Sequence, residues 1–389
     1  MTSASESALP PASAPDDPVA WAALGELYHR YLTGLLLSTI SRMGPGAATE
    51  VVFQTFRRQH LEQFLPGLHK LGLADLPPAV ACAQYHVLSN ALGGVRVEWI
   101  PDSDTKSWVR YLPPRWIFDG TAVCAIPTDV SRAMLRGWHG HNGVSLGNPR
   151  LGFVCTMQTT DVQPGLEGYY LETDQPLAED DRVRFRPGER PSNQPVSLPL
   201  PSWDTIRLAK VERNYSTNYI RTILPVLCSV LGPGDAASVG RIAARQIGMQ
   251  YHQAVMARLA ESTDPDTFPE RFARLLSAHG VPASVQRPHD APVGAGAEIR
   301  LDRWRMFDGQ ALDPAVFEAW NGLWEGFAAM EGLQLWVTAR IDRGDDHYGW
   351  RIRPDRRITG SPAPTSGRTA LLGSTTASEH DGHGTDPCR

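Results

Sequence analysis

Arg42-Met43-Gly44-Pro45-Gly46-Ala47-Ala48 returns later in the chain as Val230-Leu231-Gly232-Pro233-Gly234-Asp235-Ala236. In both places an apolar helical pattern runs up to Gly-Pro-Gly, which stops it, and a new helical pattern follows. A second pair of stretches, Arg115-Trp116-Ile117-Phe118-Asp119-Gly120 and Arg303-Trp304-Arg305-Met306-Phe307-Asp308-Gly309, is displaced by the same 188 positions (232 minus 44, and 303 minus 115). Two unrelated coincidences would not share an offset. The sequence therefore predicts an α+β fold made of two tandem copies of a helical unit with a small antiparallel β-sheet.

Working outward, Trp21, Leu24, Leu27, Tyr28, Tyr31, Leu32 and Leu35 recur at three and four, which predicts a helix over 19–41. Further helices are expected through Gln63, over 77–91 and over 128–137, with strands at 95–100, 108–112, 151–160 and 168–172. From Trp203 the order restarts: helices over 203–231, 235–259, 268–278 and 313–330, and strands at 297–301, 333–341 and 348–352. Residues 1–18 are small, polar and Pro-rich and bury too little apolar surface to offset ordering, so a disordered tail is expected there. A first repeat spans 19–173, a Pro-rich connector 174–202, and a second repeat 203–354. The Ser, Thr, Gly and His-rich residues 355–389 read as another disordered tail.

The 389 residues, 42% of them hydrophobic, suffice for two cores, and a net charge of −5 with no long basic run gives no footprint for nucleic acid or an anionic membrane. The longest apolar stretch, Tyr31 to Ile40, is about half of the roughly 20 residues that cross a bilayer. No signal-like N-terminus precedes it, and a cytoplasmic protein is the expectation. Cys82, Cys124, Cys155, Cys228 and Cys388 show no CxxC pairing, so they read as reduced, mostly buried thiols. No P-loop, dinucleotide fingerprint or GxSxG elbow occurs, and no cofactor is expected.

Chemistry-bearing residues are densest from Arg136 to Glu172. The two copies differ there: aligning Gly137-Trp138-His139-Gly140 with Leu323-Trp324-Glu325-Gly326 gives each a helix ending in Trp-x-Gly before a hairpin. Only the first copy carries His139, His141 and Asn142, where the second has Glu325, Phe327 and Ala328. The first copy is thus the expected site, with the second as scaffold.

The second copy, through Phe307-Asp308-Gly309, Phe317 to Gly326, and Val337-Thr338-Ala339-Arg340-Ile341-Asp342-Arg343-Gly344-Asp345-Asp346-His347-Tyr348, resembles the L-2-amino-thiazoline-4-carboxylic acid hydrolase-like family. That resemblance implies a helical protein with a small antiparallel sheet and hydrolytic opening of a small heterocyclic amino acid. Many members place a cysteine in the last strand after the Gly-Asp turn; Tyr348 stands at that position here.

His139 and His141 would need a third ligand to hold zinc, and nothing nearby has ligand spacing, so a metal-free general base is the expectation. The bland alternative is a helix end whose glycines allow positive φ and whose histidines suit the helix dipole. Glu167, between Gly165-Leu166 and Gly168, is the expected partner acid/base. Asn142, Arg150, Gln158, Tyr169 and Trp138 are the expected substrate contacts. Cys155 reads as a buried thiol. Tryptophans gather on the sheet-and-helix portions of both copies, which suits a core and also a planar or cationic ligand. The expectation is an enzyme of specialised metabolism that opens or closes a small nitrogen-containing ring. A small-molecule sequestering protein and a structural subunit of a heteromeric enzyme are the alternatives, with a homodimer or a homologous partner subunit as the expected assembly.

Overall fold

The computed structural model describes residues 16–112, 124–199, 204–260, 267–287 and 296–355. The Arg115–Gly120 stretch and most of both expected tails lie outside these residues. Asp16 and Asp17 do not: Asp17 caps the first helix by accepting from Ala20 N at 3.0 Å and pairs with Arg274 at 2.6 Å.

Helices α1 (Pro18–Met43), α2 (Pro45–Lys70) and α3 (Pro78–Ala91) lead to the hairpin β1 (Val97–Ser103) and β2 (Lys106–Tyr111). Then come α4 (Thr128–Gly137), the single-turn α5 (Asn142–Ser145), β3 (Leu151–Met157), β4 (Leu166–Glu172) and β5 (Val183–Phe185). The second half follows with α6 (Thr205–Leu231), α7 (Pro233–Ala260), α8 (Phe268–Ser277), β6 (Ala283–Gln286), β7 (Ala297–Leu301), α9 (Pro314–Met330), β8 (Leu333–Ala339) and β9 (Tyr348–Pro354). The fold is α+β, with helices on one face of each of two sheets. Gly44 and Gly232 sit at φ +88° and +79°, so Gly-Pro-Gly ends one helix in a conformation open to glycine and starts the next with proline. Helix α2 outruns its expected end because Phe64 and Leu68 keep its apolar face buried past Pro66.

The sheet orders are β1-β2-β4-β3-β5 and β6-β7-β9-β8, the same sequence of strands apart from β5. Their hairpins match in detail. The register of β3 slips between Cys155 and Met157, that of β8 between Val337 and Ala339. The turns that follow carry the same side-chain clasp: Gln158 N donates to Gln163 Oε1 at 2.7 Å, and Arg340 N to Asp345 Oδ2 at 2.6 Å. One position breaks the match. Val162 holds φ +63° and is 98% exposed, where its counterpart Gly344 holds +98°. A β-branched residue is strained in that region, by about 1–2 kcal/mol. Val162→Gly should therefore raise the urea unfolding free energy by about 0.5–1 kcal/mol after glycine's own entropy cost; an unchanged or lower value would remove the strain account.

The two halves interlock. Helix α1 packs mainly on α6 and α7, and α6 packs on α2 as well as α7. Tyr31 of α1 donates to the Ala319 carbonyl of α9 at 2.7 Å, and Tyr28 bonds His279 at 2.6 Å. In return Gln59 of α2 donates to the Asn218 carbonyl of α6 at 3.3 Å, and the Tyr215 ring presses on Gly93. The described residues up to Asp355 accordingly form one compact unit. The connector after β4 adds β5 to the edge of β3. It also covers the second face of the first sheet, where Tyr169 donates to Glu189 at 2.6 Å, and reaches the β1 edge, where Val196 bridges to Trp99. Among the described residues no helix is long and apolar enough to cross a membrane.

Candidate functional site: a histidine-lined cavity

A cavity of about 680 Å³ opens between α2, α3, α4, the inner face of β2 and β4, and α6. That size suits a small organic ligand. Its floor is built by α4 and the residues that follow it. Gly137 lets α4 lie close on α2: a Cβ there would stand 2.7 Å from the Phe53 carbonyl oxygen, and Arg57 Nε donates to the Gly137 carbonyl at 3.0 Å. The chain then tightens into a 3-10 turn over His139–His141, which swings His139 under the sheet. The second copy does the opposite. Helix α9 runs on through Trp324 and Gly326 to Met330, so it does not end at Trp-x-Gly as the alignment suggested. Glu325 is mostly buried against α7 and is held by Arg241 at 3.0 Å, in a segment without the first copy's run of glycines.

His139 is 4% exposed and reaches Tyr170 of β4, Nδ1 to Oη, at 2.7 Å. Asn142 Nδ2 donates to the same hydroxyl at 3.1 Å. Asn142 is a donor to Tyr170, so His139 Nδ1 is the acceptor within reach of the Tyr170 O–H; with the hydroxyl donating there, the imidazole proton is on Nε2. Burial pushes the His139 pKa down to about 3, and His60 adds to the shift. At neutral pH His139 is therefore a neutral ring, suited to donate a hydrogen bond to a carbonyl or ring acceptor and weak as a proton acceptor. The general-base role expected from the sequence requires this neutral ring, with a basicity that burial lowers.

His86 of α3 lies flat on His139, with centroids 4.3 Å apart and planes 9° apart. Its Nδ1 meets Tyr111 Oη at 2.8 Å, and its buried Nε2 has no partner. Burial lowers its pKa well below the usual imidazole value, with His139 reinforcing the shift. Trp138 stacks near Tyr85 and lines the cavity, its indole Nε1 buried and unpartnered. On the far wall α6 presents Asn214, Tyr215, Asn218 and Tyr219.

The second half has a related relay with a different outcome. Trp320 Nε1 donates to Tyr28 Oη at 2.8 Å, and Tyr28 meets His279 Nε2, while His279 Nδ1 bonds the Leu276 carbonyl at 2.9 Å. Both nitrogens of His279 are spent inside a core of Trp304, Phe317, Trp320 and Trp324. In the first half, Tyr170 spends only one nitrogen of His139.

Of the residues expected from the sequence, Trp138 and His139 line this cavity, and Asn142 is fully buried behind them on the Tyr170 hydroxyl. His141 sits beside it, edge-on to His60 at 5.2 Å, and burial lowers its pKa to about 4. Glu167 does not join them. Adjacent strand residues alternate faces, and Glu167 lies three residues from Tyr170, on the other side of the sheet. There it is fully buried and paired to Arg110 at 2.5 Å and Arg190 at 4.0 Å, so it cannot serve as acid/base partner to His139. Tyr169 shares that outer face, packed on Trp108 with centroids 4.5 Å apart. Gln158 clasps the hairpin turn, with Nε2 donating to Asp161 at 2.9 Å, and Arg150 pairs with Glu172 at 3.5 Å. Neither borders the cavity. Cys82 and Cys155 are buried, and burial pushes both thiols up to about 12, which suits inert packing. No group of three ligand-type side chains with metal-site geometry occurs among the described residues.

Sequence patterns do not single out His86, Tyr85, Tyr111 or the α6 wall, and strand alternation puts Tyr169 and Tyr170 on opposite faces without saying which one is next to His139. One signal was present: Asn214-Tyr215 and Asn218-Tyr219, like Tyr85-His86 and Ser89-Asn90, repeat at four and so share a helix face. No protein-family model matches the chain, and no curated protein matches it.

Proposed function

We propose that the chain binds a small planar organic molecule in this cavity, with the neutral His139 and His86 as hydrogen-bonding anchors at the inner end and Trp138 and Tyr85 as the flat wall. The observation that carries this reading is the buried, stacked histidine pair beside an open volume of about 680 Å³. Buried polar atoms are normally paired, so the unpartnered His86 Nε2 and Trp138 Nε1 point to a ligand that supplies their partners. Isothermal titration against a panel of uncharged bicyclic lactams and amides tests it. Trp138→Ala should weaken binding at least roughly tenfold through lost stacking, and Glu167→Gln, on the outer face, should leave it unchanged. Equal affinity in the wild type and Trp138→Ala, or binding by no probe, would refute the reading.

A second reading, catalysis on the bound molecule, is favoured by the Asn142–Tyr170–His139 relay, which fixes the tautomer. A neutral Nε2–H donor polarises a ring carbonyl and so assists opening or closing of a C–N bond. The resemblance to the thiazoline-carboxylate hydrolase-like family supports the same ring chemistry, and a cytoplasmic place in specialised metabolism goes with it. Under this reading His139→Ala loses turnover of a small cyclic amide at saturating substrate. Under simple sequestration no variant, nor the wild type, turns the ligand over.

A further inference from the structure

A second cavity, of about 450 Å³, lies where α1 crosses α6 beside the glycine pair that follows α3. Its walls include Trp21, Glu26, Arg30, Glu212, Arg213 and Arg258. Arg213 is the unusual member. It is 7% exposed, it donates Nη1 to the Ala278 carbonyl, and its buried Nε has no partner. Its guanidinium stands 5.4 Å from the Trp21 ring centroid, and among the described residues no carboxylate lies within ion-pair distance of it. Burial lowers its pKa to about 10, with Arg305 adding to the shift and Asp16 opposing it.

A buried cation without a counter-charge is costly, and proteins normally pair it. The other arginines of the cavity wall have a carboxylate of their own: Arg258 and Arg30 reach Glu26 at 3.2 and 3.8 Å. A planar, always-charged group with unused donors is the arrangement that recognises an oxyanion. We propose that this cavity is a binding site for a small oxyanion, a carboxylate or phosphate group, held by Arg213. Glu212 on the same wall favours ligands of low total charge.

Thermal unfolding of the full chain in sodium phosphate, sodium acetate and sodium chloride at matched ionic strength tests the site. Phosphate or acetate should raise the midpoint by roughly 2–4 °C over chloride once it is well above its dissociation constant. Whichever of the two acts at the lower concentration names the source of the oxyanion. Arg213→Met should abolish the shift, and Trp138→Ala, at the separate histidine cavity, should keep it. Glu212→Gln removes a like charge and should tighten binding at least roughly threefold, which decides the matter even if Arg213→Met does not fold. The same shift in Arg213→Met, no shift in the wild type, or no tightening in Glu212→Gln would overturn the proposal.

Discussion

Taking the protein from pH 7 to pH 5 should cost it several kcal/mol of stability. Burial holds His60 and His139 at about 3, His279 at about 4, and His86 well below the ordinary value. In the unfolded chain these rings take up protons as the pH falls below about 6.5. The folded state does not follow until the pH approaches their lowered values. Unfolding therefore binds protons throughout that window, and the stability present above about 6.5 is lost as the pH falls toward 3 to 4. Each fully coupled histidine contributes up to about 1.4 kcal/mol per pH unit, so four give a slope on the order of 3–5 kcal/mol per unit. Urea midpoints at pH 7, 6 and 5 measure the slope directly, and His279→Gln should reduce it by roughly a quarter. A midpoint that stays flat over that range would mean that the cluster is not held neutral.

Arg110→Met should be the most damaging single change on the outer face of the first sheet. Glu167 has 0% exposure and lies 2.5 Å from Arg110 Nε, with Thr156 Oγ1 donating weakly at 3.4 Å and Arg190 at 4.0 Å. Removing Arg110 leaves a buried carboxylate with one distant, exposed counter-charge, a situation that costs about 3–5 kcal/mol. Glu167→Gln should cost less, about 1–2 kcal/mol, because Arg110 is 29% exposed and keeps Glu98 at 3.2 Å. The order of the two losses in urea unfolding is the test, and a larger loss in Glu167→Gln would reverse the assignment of which charge is trapped.

The helices and hairpins were legible because their causes are local. Gly-Pro-Gly punctuates α1 from α2 and α6 from α7, and apolar spacing marks the faces they bury. The tight turn that carries Trp138, His139 and Asn142 was legible because glycines at 137, 140 and 143 allow it. Glu167 was misjudged for a reason strand parity cannot supply. Alternation states that Tyr169 and Tyr170 face opposite ways, but only the packed fold says which side holds the cavity. His86 and the Asn-Tyr pairs of α6 lie far from His139 in sequence, and α6 belongs to the other repeat. A cavity wall lent by the second half has no signature in the first. Strand β5 is three residues long, and its pairing with β3 depends on the connector's path, so no periodicity announced it.

The exchange of α1 and α6 between the halves has a consequence for how the chain is made. During synthesis the first repeat emerges whole while the helix that walls its cavity is still unmade, and its own α1 lacks the α7 and α9 surfaces that bury Tyr31. A domain that normally folds as soon as it leaves the ribosome must here wait. At roughly 5–20 residues per second, the interval between Glu172 and the end of α9 at Met330 leaves apolar faces of the nascent first half open for on the order of ten seconds or more. The interlock that joins the repeats into one unit makes the nascent chain a candidate client for chaperones.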